Sequence, residues 1–180
     1  MKQILVLLIF TINIFSEDLG CLIYDFNQTH NKNILTPYDN EKINFILDIK
    51  DKNYRNIENF IFKYENIDFS VINNNTPLFY AIDLGNLKIV KLLIENGANI
   101  YHINDSLETA LHIAVKGNHI KITRFLLEEG VRLFSKDNSG NTALFYAKES
   151  AFNEIIDLLN YYEKSEEKET DNLEEFIKNF

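Results

Sequence analysis

The sequence predicts an all-α solenoid of stacked antiparallel helix pairs, with short hairpin-like loops between the pairs. The first observation is a six-residue signature that reads TPLFYA at 76–81, TALHIA at 109–114 and TALFYA at 142–147. The three copies are evenly spaced, and we call the interval from Thr76 to Thr109 the repeat period. The second observation is that Gly97 and Gly130, like Leu93 and Leu126, are separated by the same period. A fixed period of this kind is typical of equivalent units that stack on one another.

The chain begins with a segment typical of a secretory leader. Met1-Lys2-Gln3 provides a positive start, and residues 4–15 form an apolar run that is too short for a comfortable membrane span. We expect residues 1–20 to be a signal peptide or lipoprotein leader and residues 21–36 to be a linker. We therefore expect the protein to be exported, and to be periplasmic or associated with the cell envelope. The abundance of Ile, Asn and Lys favours a bacterial source. A buried N-terminal helix or strand is the structural alternative.

The cleavage site of this leader has two interpretations. Residues 14–16 suit an ordinary signal peptidase, whereas Leu19-Gly20-Cys21 resembles the end of a bacterial lipoprotein box. The second interpretation makes Cys21 the candidate lipidation site and gives the protein a membrane tether, although Asp18 departs from that pattern. A chain with one cysteine forms no internal disulfide.

Residues 37–72 are predicted to be a degenerate N-terminal repeat that caps the stack. The signature is missing, and Thr36-Pro37 is expected to start the first helix early. Shifting the apolar positions of the first clear unit back by one repeat period gives positions that are all occupied by apolar side chains, namely Phe45, Ile57, Phe60, Ile61 and Ile67.

Three clear repeats follow, at 73–103, 104–136 and 137–162. In the first, Thr76 is expected to accept an amide hydrogen bond at the start of a helix, and Pro77 suits the first helical position. Gly85 ends that helix. A second helix carries one apolar stripe and ends at a glycine that tolerates positive φ. Its stripe consists of Ile89, Val90, Leu93 and Ile94, and the glycine is Gly97.

The third repeat and the residues after it differ from the first two. Ala151 and Glu163 stand where the first repeat has Gly85 and Gly97, and this is typical of a terminal unit. Residues 163–180 are predicted to be an acidic tail, a solvated linker followed by a short C-terminal helix. We expect that helix to fold back over the third repeat, with a partner-binding tail as the alternative. Its apolar stripe is Leu173, Phe176, Ile177 and Phe180.

The signature and its period closely resemble ankyrin repeats, whose units are about 33 residues long. The resemblance implies a fold of helix pairs and a role in binding other proteins. It also assigns structural roles to two histidines. His112 occupies the signature position at which the family commonly has a histidine that hydrogen-bonds within and between repeats, and His119 matches the family's frequent histidine at the start of the second helix.

Charge and motifs argue against nucleic acid and against catalysis. The net charge is −9, and the arginines Arg55, Arg124 and Arg132 form no cluster, whereas nucleic-acid binding depends on basic residues that meet phosphates. His30 and His102 have no cysteine or carboxylate at ligand spacing, and no nucleophile elbow or phosphate-binding glycine loop occurs. We expect no catalytic residue, metal or cofactor.

The resemblance also implies where a partner binds. The loops before each signature project as fingers, and with the first helices they line a concave surface, which we call the finger surface. Tyr80 and Tyr146 are its candidate aromatic anchors, with packing between repeats as the alternative. Asp137 and Gly140 match the usual finger pattern, from which Val71 and Asn104 depart. The other predicted positions are Asn73, Asn75, Asp83, Leu84, Asp105, Ser106, Glu108, Lys116, Gly117, Asn138, Ser139, Asn141, Glu149 and Ser150.

These observations predict an exported, non-enzymatic, monomeric module that binds an unidentified protein partner through the finger surface. The alternative is a structural or enzyme-associated protective protein of the envelope, anchored or soluble. A third hypothesis is an effector delivered into another cell, as some bacterial ankyrin proteins are.

Overall fold

The computed structural model describes residues 37–64 and 66–178, with side chains described for 40–64 and 66–165. Within these residues the protein contains eight α-helices in four consecutive pairs, which confirms the predicted all-α class. A 3₁₀ turn, Ile72–Asn74, precedes the third helix. The helices are α1 (Pro37–Lys50), α2 (Tyr54–Lys63), α3 (Pro77–Asp83), α4 (Leu87–Glu95), α5 (Ala110–Lys116), α6 (Ile120–Glu128), α7 (Ala143–Glu149) and α8 (Asn153–Lys178).

The helix pairs stack in two rows. The two helices of each pair pack against each other, and the first helices α1, α3, α5 and α7 pack in series along one row. In the second row α4 packs on α6, and α6 packs on α8. Each pair therefore covers the apolar face of its neighbour, as a fixed repeat period requires.

A single hydrophobic core runs through the stack. Ile49, Leu78, Leu111 and Leu159 come from the four successive pairs, and all are buried in one continuous cluster. Each fully buried Leu or Ile contributes about 1.5–3 kcal/mol relative to exposure. Since every repeat supplies such residues to both neighbours, the described repeats are expected to unfold together.

The residues predicted to form a degenerate repeat do form a helix pair, α1 and α2, and α1 begins at Pro37. Of the predicted apolar positions, Ile57, Phe60 and Ile67 are buried. Phe45 is 1% exposed, and its ring stacks on that of Phe60 with 4.0 Å between centroids. The signature is therefore dispensable for this pair, because aromatic packing joins it to the core.

The helix starts fall where the signature predicts, but the capping differs between repeats. The Thr142 hydroxyl accepts a hydrogen bond from the Phe145 amide at 3.4 Å. The prediction that Thr76 does the same is wrong, because its buried hydroxyl has no hydrogen-bond partner. At α3, Pro77 supplies the start, since its fixed φ suits the first helical position and it has no amide to satisfy.

The turns between paired helices share a left-handed residue. Lys52, Gly85, Asn118 and Ala151 lie at the same register of the four pairs and have φ of 58°, 68°, 55° and 56°. In the turn between α5 and α6, Gly117 has φ −77° and Asn118 takes the left-handed position. Three of the four turns therefore place a side chain where glycine is least strained.

The prediction for the acidic tail is wrong in its first part. The structure has no linker at 163–178, because α8 continues from Asn153 to Lys178, and its backbone does not fold back over the third repeat. Gly97 and Gly130 end α4 and α6 with positive φ, whereas Glu163 at the same register is a strong helix former. The predicted repeat boundary at 162 therefore lies inside a helix.

Some predictions fall outside the described residues. They concern the leader at 1–20, the linker at 21–36 with Cys21, His30, and the side chains of the apolar stripe Leu173, Phe176, Ile177 and Phe180. Among the residues that are described, no helix combines the length and apolarity needed to cross a bilayer.

Candidate partner-binding surface

The fingers are three hairpins at the same register, residues 71–75, 104–108 and 137–141. Each is closed by a backbone hydrogen bond from the amide of its first residue to the carbonyl of its last, at 2.9, 3.1 and 3.0 Å. Neighbouring fingers are joined as well, since the Asp105 amide donates to the Asn73 carbonyl at 3.0 Å and the Asn138 amide donates to the Ser106 carbonyl at 2.9 Å. The row of fingers is therefore held as one unit.

Two of the fingers are stabilised by the side chain of their first residue. One carboxylate oxygen of Asp137 accepts from the amides of Ser139 and Asn141 at 2.8 and 3.1 Å. The amide oxygen of Asn104 accepts in the same way from its own finger, at 3.0 and 2.9 Å. Although Asn104 departs from the aspartate of the usual finger pattern, the turn is preserved, because an amide oxygen replaces a carboxylate oxygen. Val71 has no such group, and its finger contains a 3₁₀ turn instead.

Between the first two fingers and helices α3 and α5 lies an open cleft of about 210 Å³. Of the predicted surface residues, the structure brings six together here, and three further residues that were not predicted as part of the surface complete the lining. The Asp83 carboxylate is exposed, and neither it nor the Ser106 hydroxyl has a hydrogen-bond or ion-pair partner among the described residues. The lining consists of Asn73, Asn75, Tyr80, Asp83, Ser106 and Glu108, with Phe79, Asn104 and Ile113.

The next junction along the stack, between the second and third fingers, is closed by the protein's own side chains. Lys116 forms an ion pair with Glu108, and its ammonium nitrogen lies 3.9 Å from the centroid of the Tyr146 ring. The Tyr146 hydroxyl in turn donates to the Asp137 carboxylate. Glu108 also accepts from the side-chain amide of Asn104 at 2.8 Å. These contacts make one polar network across two repeats.

Charge pairing in this network overcomes the effect of burial. Burial alone would raise the pKa of Glu108, but hydrogen bonds from Lys116 and Asn104 hold that pKa below its usual value. Burial would lower the pKa of Lys116, yet its bond to Glu108 raises it. The Tyr146 hydroxyl bond lowers the pKa of Asp137. All three groups are therefore ionised at neutral pH, and the network remains paired.

His112 links the second and third repeats from inside the core. It is 1% exposed, and its Nε2 donates to the Asn141 carbonyl at 3.2 Å, while its Nδ1 accepts from the Thr109 amide at 3.2 Å. This pattern identifies the neutral Nε2–H tautomer. Burial lowers the pKa of His112, which keeps it uncharged at neutral pH.

The other described histidines also bind backbone carbonyls. His102 Nε2 lies 2.7 Å from the Asn74 carbonyl of its own repeat, and His119 Nε2 lies 3.0 Å from the Asp83 carbonyl of the preceding repeat. No group of His, Cys, Asp or Glu side chains in the described part of the chain is arranged to hold a metal ion. His112 and His119 therefore join neighbouring repeats, and His102 ties the end of its repeat to the finger at its start.

The predicted surface residues differ in how far contacts within the protein already engage them. Glu108, Lys116 and Tyr146 are paired within the network, so for Tyr146 the structure shows the alternative, packing between repeats. The Asn138 side-chain amide donates to the Asp105 carbonyl at 2.9 Å. Asn141 is engaged through its backbone by His112 and Asp137. The exposed remainder outside the cleft comprises Leu84 at 40% exposure with Asp105, Gly117, Ser139, Glu149 and Ser150.

The residues that sequence reasoning missed were accessible from the period alone. One repeat period separates Asn104 from Asp137, and the same period separates Ile113 from both Tyr80 and Tyr146. Comparing equivalent positions across repeats therefore finds the cleft lining, whereas reading each repeat separately does not.

Comparison with known families agrees with this geometry. Residues 78–127 match the family described as ankyrin repeats (many copies). The match runs from α3 to α6 and so contains two helix pairs with the finger between them. Comparison with curated proteins gave no match to the chain. Ankyrin repeats are generally protein-interaction modules and are typically non-enzymatic.

Proposed function

We propose that this chain, an ankyrin-repeat solenoid, is a non-enzymatic module that binds a protein partner through its finger surface. The observation that carries the proposal is the cleft between the first two fingers. It presents the Ser106 hydroxyl and the Asp83 carboxylate, which has no partner among the described residues, beside the ring of Tyr80. Polar groups that converge in a concave site on a fixed scaffold are typical of recognition.

The hydrogen bonds between fingers support this function energetically. Ordering a loop on binding costs affinity, and a surface that is already ordered avoids that cost. The fingers here are fixed before any partner arrives, by closing bonds of 2.9–3.1 Å and by the bonds from Asp105 and Asn138 to the preceding finger. We therefore expect a partner to bind with little rearrangement of the fingers.

The proposal includes export to the periplasm or cell envelope, which rests on the leader pattern of residues 1–20. The alternative role, as a structural or protective protein of the envelope with a lipid anchor at Cys21, rests on the Leu19-Gly20-Cys21 pattern. Metabolic labelling with a fatty acid distinguishes them, because only an acylated Cys21 incorporates the label. Detection of intact Met1 in the exported protein contradicts cleavage of the leader.

Binding through the finger surface is tested by charge reversal. In the double variant Asp83→Lys/Glu149→Lys, we expect crosslinking capture of the partner from the native envelope to be lost, while the thermal midpoint stays nearly unchanged. Both positions are exposed, so folding does not depend on them. The matched control is Glu95→Lys/Glu128→Lys, which makes the same charge change at equivalent exposed positions on α4 and α6.

The control should retain capture, because α4 and α6 form the row of second helices rather than the finger surface. Capture that survives the Asp83 and Glu149 reversals rules out the finger surface as the binding site. Equal loss in the control shows that overall charge, and not this surface, determines the association.

A further inference from the structure

We infer that the cleft between the first two fingers takes an arginine side chain from an extended segment of the partner. This inference rests on the proposed function and specifies what the finger surface recognises. It is drawn from a comparison of two equivalent junctions within the same molecule, only one of which contains a cation.

The closed junction shows how a cation sits on this surface. The Lys116 ammonium lies between the Glu108 carboxylate of the second finger and the face of the Tyr146 ring on α7. An ammonium over an aromatic face is attracted by the ring quadrupole, and the carboxylate adds a charge-assisted hydrogen bond. The Lys116 side chain is 36% exposed and that of Glu108 is 15% exposed, so the pair is partly shielded from solvent.

One repeat earlier, none of the residues that line the cleft is a lysine or an arginine. A shift back by one repeat period replaces Lys116 with Asp83, Glu108 with Asn75 and Tyr146 with Ile113. These three equivalent residues all line the 210 Å³ cleft. The space that Lys116 fills at the closed junction is therefore open here, and the charge at its mouth is reversed. A cation supplied by a partner would occupy the space equivalent to that of the Lys116 ammonium and would face the Asp83 carboxylate.

The other walls of the cleft also favour a cation. Glu108 lines it from the second finger, and although this carboxylate already binds Lys116 and Asn104, two oxygens offer about four acceptor positions. Tyr80 supplies an aromatic ring on α3. Among the described residues, the Asp83 carboxylate has no ion pair, so its charge is available to a ligand.

The polar groups of the cleft fit a guanidinium better than an ammonium. Asp83 can accept two parallel bonds from the planar guanidinium, whose five donors also match the side-chain oxygens of Asn73 and Ser106. Its flat face can stack on the Tyr80 ring. About 10–15 Å³ of such space holds one water, so a cleft of 210 Å³ has room for a guanidinium together with water.

The test is an NMR titration of the ¹⁵N-labelled full chain with short peptides. The probe is acetyl-Gly-Ser-Arg-Gly-amide, and the matched probes replace Arg with Lys, with Glu, or with citrulline, which has the shape of arginine without its charge. We expect saturable amide shifts centred on Asp83 and Ser106 with the Arg peptide. Weaker shifts are expected at the same amides with Lys, and citrulline should bind at least about five times more weakly.

The variant Asp83→Asn should raise the Kd of the Arg peptide about three- to fivefold, as expected for one partly exposed ion pair. Glu95→Gln removes an exposed carboxylate from α4, outside the finger surface, and should leave the Kd within about twofold. Raising the salt concentration should weaken binding of the Arg peptide and leave that of citrulline unchanged. Spectra of both variants that match the original away from the substitution show that each variant is folded.

The inference is overturned if citrulline binds as well as arginine, if Asp83→Asn has no effect on the Kd, or if the shifts lie outside the cleft. Its failure is distinguishable from failure of the proposed function. Loss of partner capture in the charge-reversal variant, together with no binding of the Arg peptide, rejects the arginine pocket alone. Binding of the Arg peptide with capture unaffected by charge reversal rejects the finger surface as the partner's site.

Discussion

Replacing Ala151 by glycine is expected to stabilise the protein. Ala151 has φ 56° in the turn between α7 and α8, the same left-handed position that Gly85 occupies between α3 and α4. An L-residue there brings its Cβ close to the following carbonyl oxygen, and this costs about 1–2 kcal/mol. Because Ala151 is exposed, removing its methyl group leaves no cavity.

Two opposing effects set the size of the gain. Relief of the left-handed strain contributes about 1.5 kcal/mol to the free energy of unfolding. The greater freedom of glycine in the unfolded chain takes back about 0.4–1 kcal/mol. The net stabilisation is then about 0.8 kcal/mol, which for a domain of this size raises the thermal midpoint by roughly 2–3 °C. Asn118→Gly should gain less, because asparagine tolerates the left-handed region better than alanine.

Urea unfolding followed by circular dichroism measures this change, and an unaltered m-value shows that the effect is on stability alone. The converse variant is Gly85→Ala. Besides the same strain, its new Cβ would lie 2.6 Å from Cε1 of His119, so the ring must move and its bond to the Asp83 carbonyl is lost. Gly85→Ala should therefore cost about 2 kcal/mol, but only about 0.8 kcal/mol in a His119→Ala background. A loss of stability in Ala151→Gly would refute the strain argument.

The remaining predictions concern the core and the polar network. Burial lowers the pKa of His112, so the unfolded chain binds that proton more tightly, and stability should decline as pH falls below the ordinary value of 6.5. Thermal midpoints measured between pH 7.5 and 5.5 should show this decline, and His112→Gln should remove it. A wild-type midpoint that does not change with pH would contradict this prediction. Phe45→Ala should lower the free energy of unfolding by about 3–5 kcal/mol in urea titration, whereas Phe62→Ala, at a side chain 94% exposed on α2, should change it by less than about 0.5 kcal/mol. Equal effects would show that the first helix pair does not share the core. Tyr146→Phe should cost about 1.5 kcal/mol and raise the pKa of Asp137 measured by carboxyl NMR, and an unchanged pKa would mean that their hydrogen bond does not form in solution.

The repeat period was sufficient to predict where the first helix of each clear repeat begins. The signature places the starts of α3, α5 and α7 after Thr76, Thr109 and Thr142, and each helix begins at the next residue. This succeeds because a helix start depends on a few neighbouring residues, and the same residues recur at every repeat. The apolar positions follow for the same reason, since a constant register fixes which face of each helix meets its neighbour.

The features that the sequence did not predict depend on pairs of residues distant along the chain. The contact of Lys116 with Tyr146 joins α5 to α7, and no local pattern marks it. The sequence therefore left Tyr146 equally suited to packing or to binding. The continuation of α8 was missed for a different reason: the acidic composition of 163–169 resembles that of a solvated linker, yet Glu and Lys are also strong helix formers.

The two junctions differ in the charge at one equivalent position of the first helices. At positions 83, 116 and 149 the stack carries Asp, Lys and Glu, although the surrounding helices are nearly equivalent. Lysine at the middle position closes its junction through Glu108, while aspartate at the first position leaves the cleft open and charged. Asp83→Lys consequently does more than reverse a charge, because it places an ammonium of the protein's own near Glu108, where a partner's guanidinium would bind. It should therefore weaken binding more than Asp83→Asn does, and equal effects of the two variants would mean that only the lost carboxylate matters.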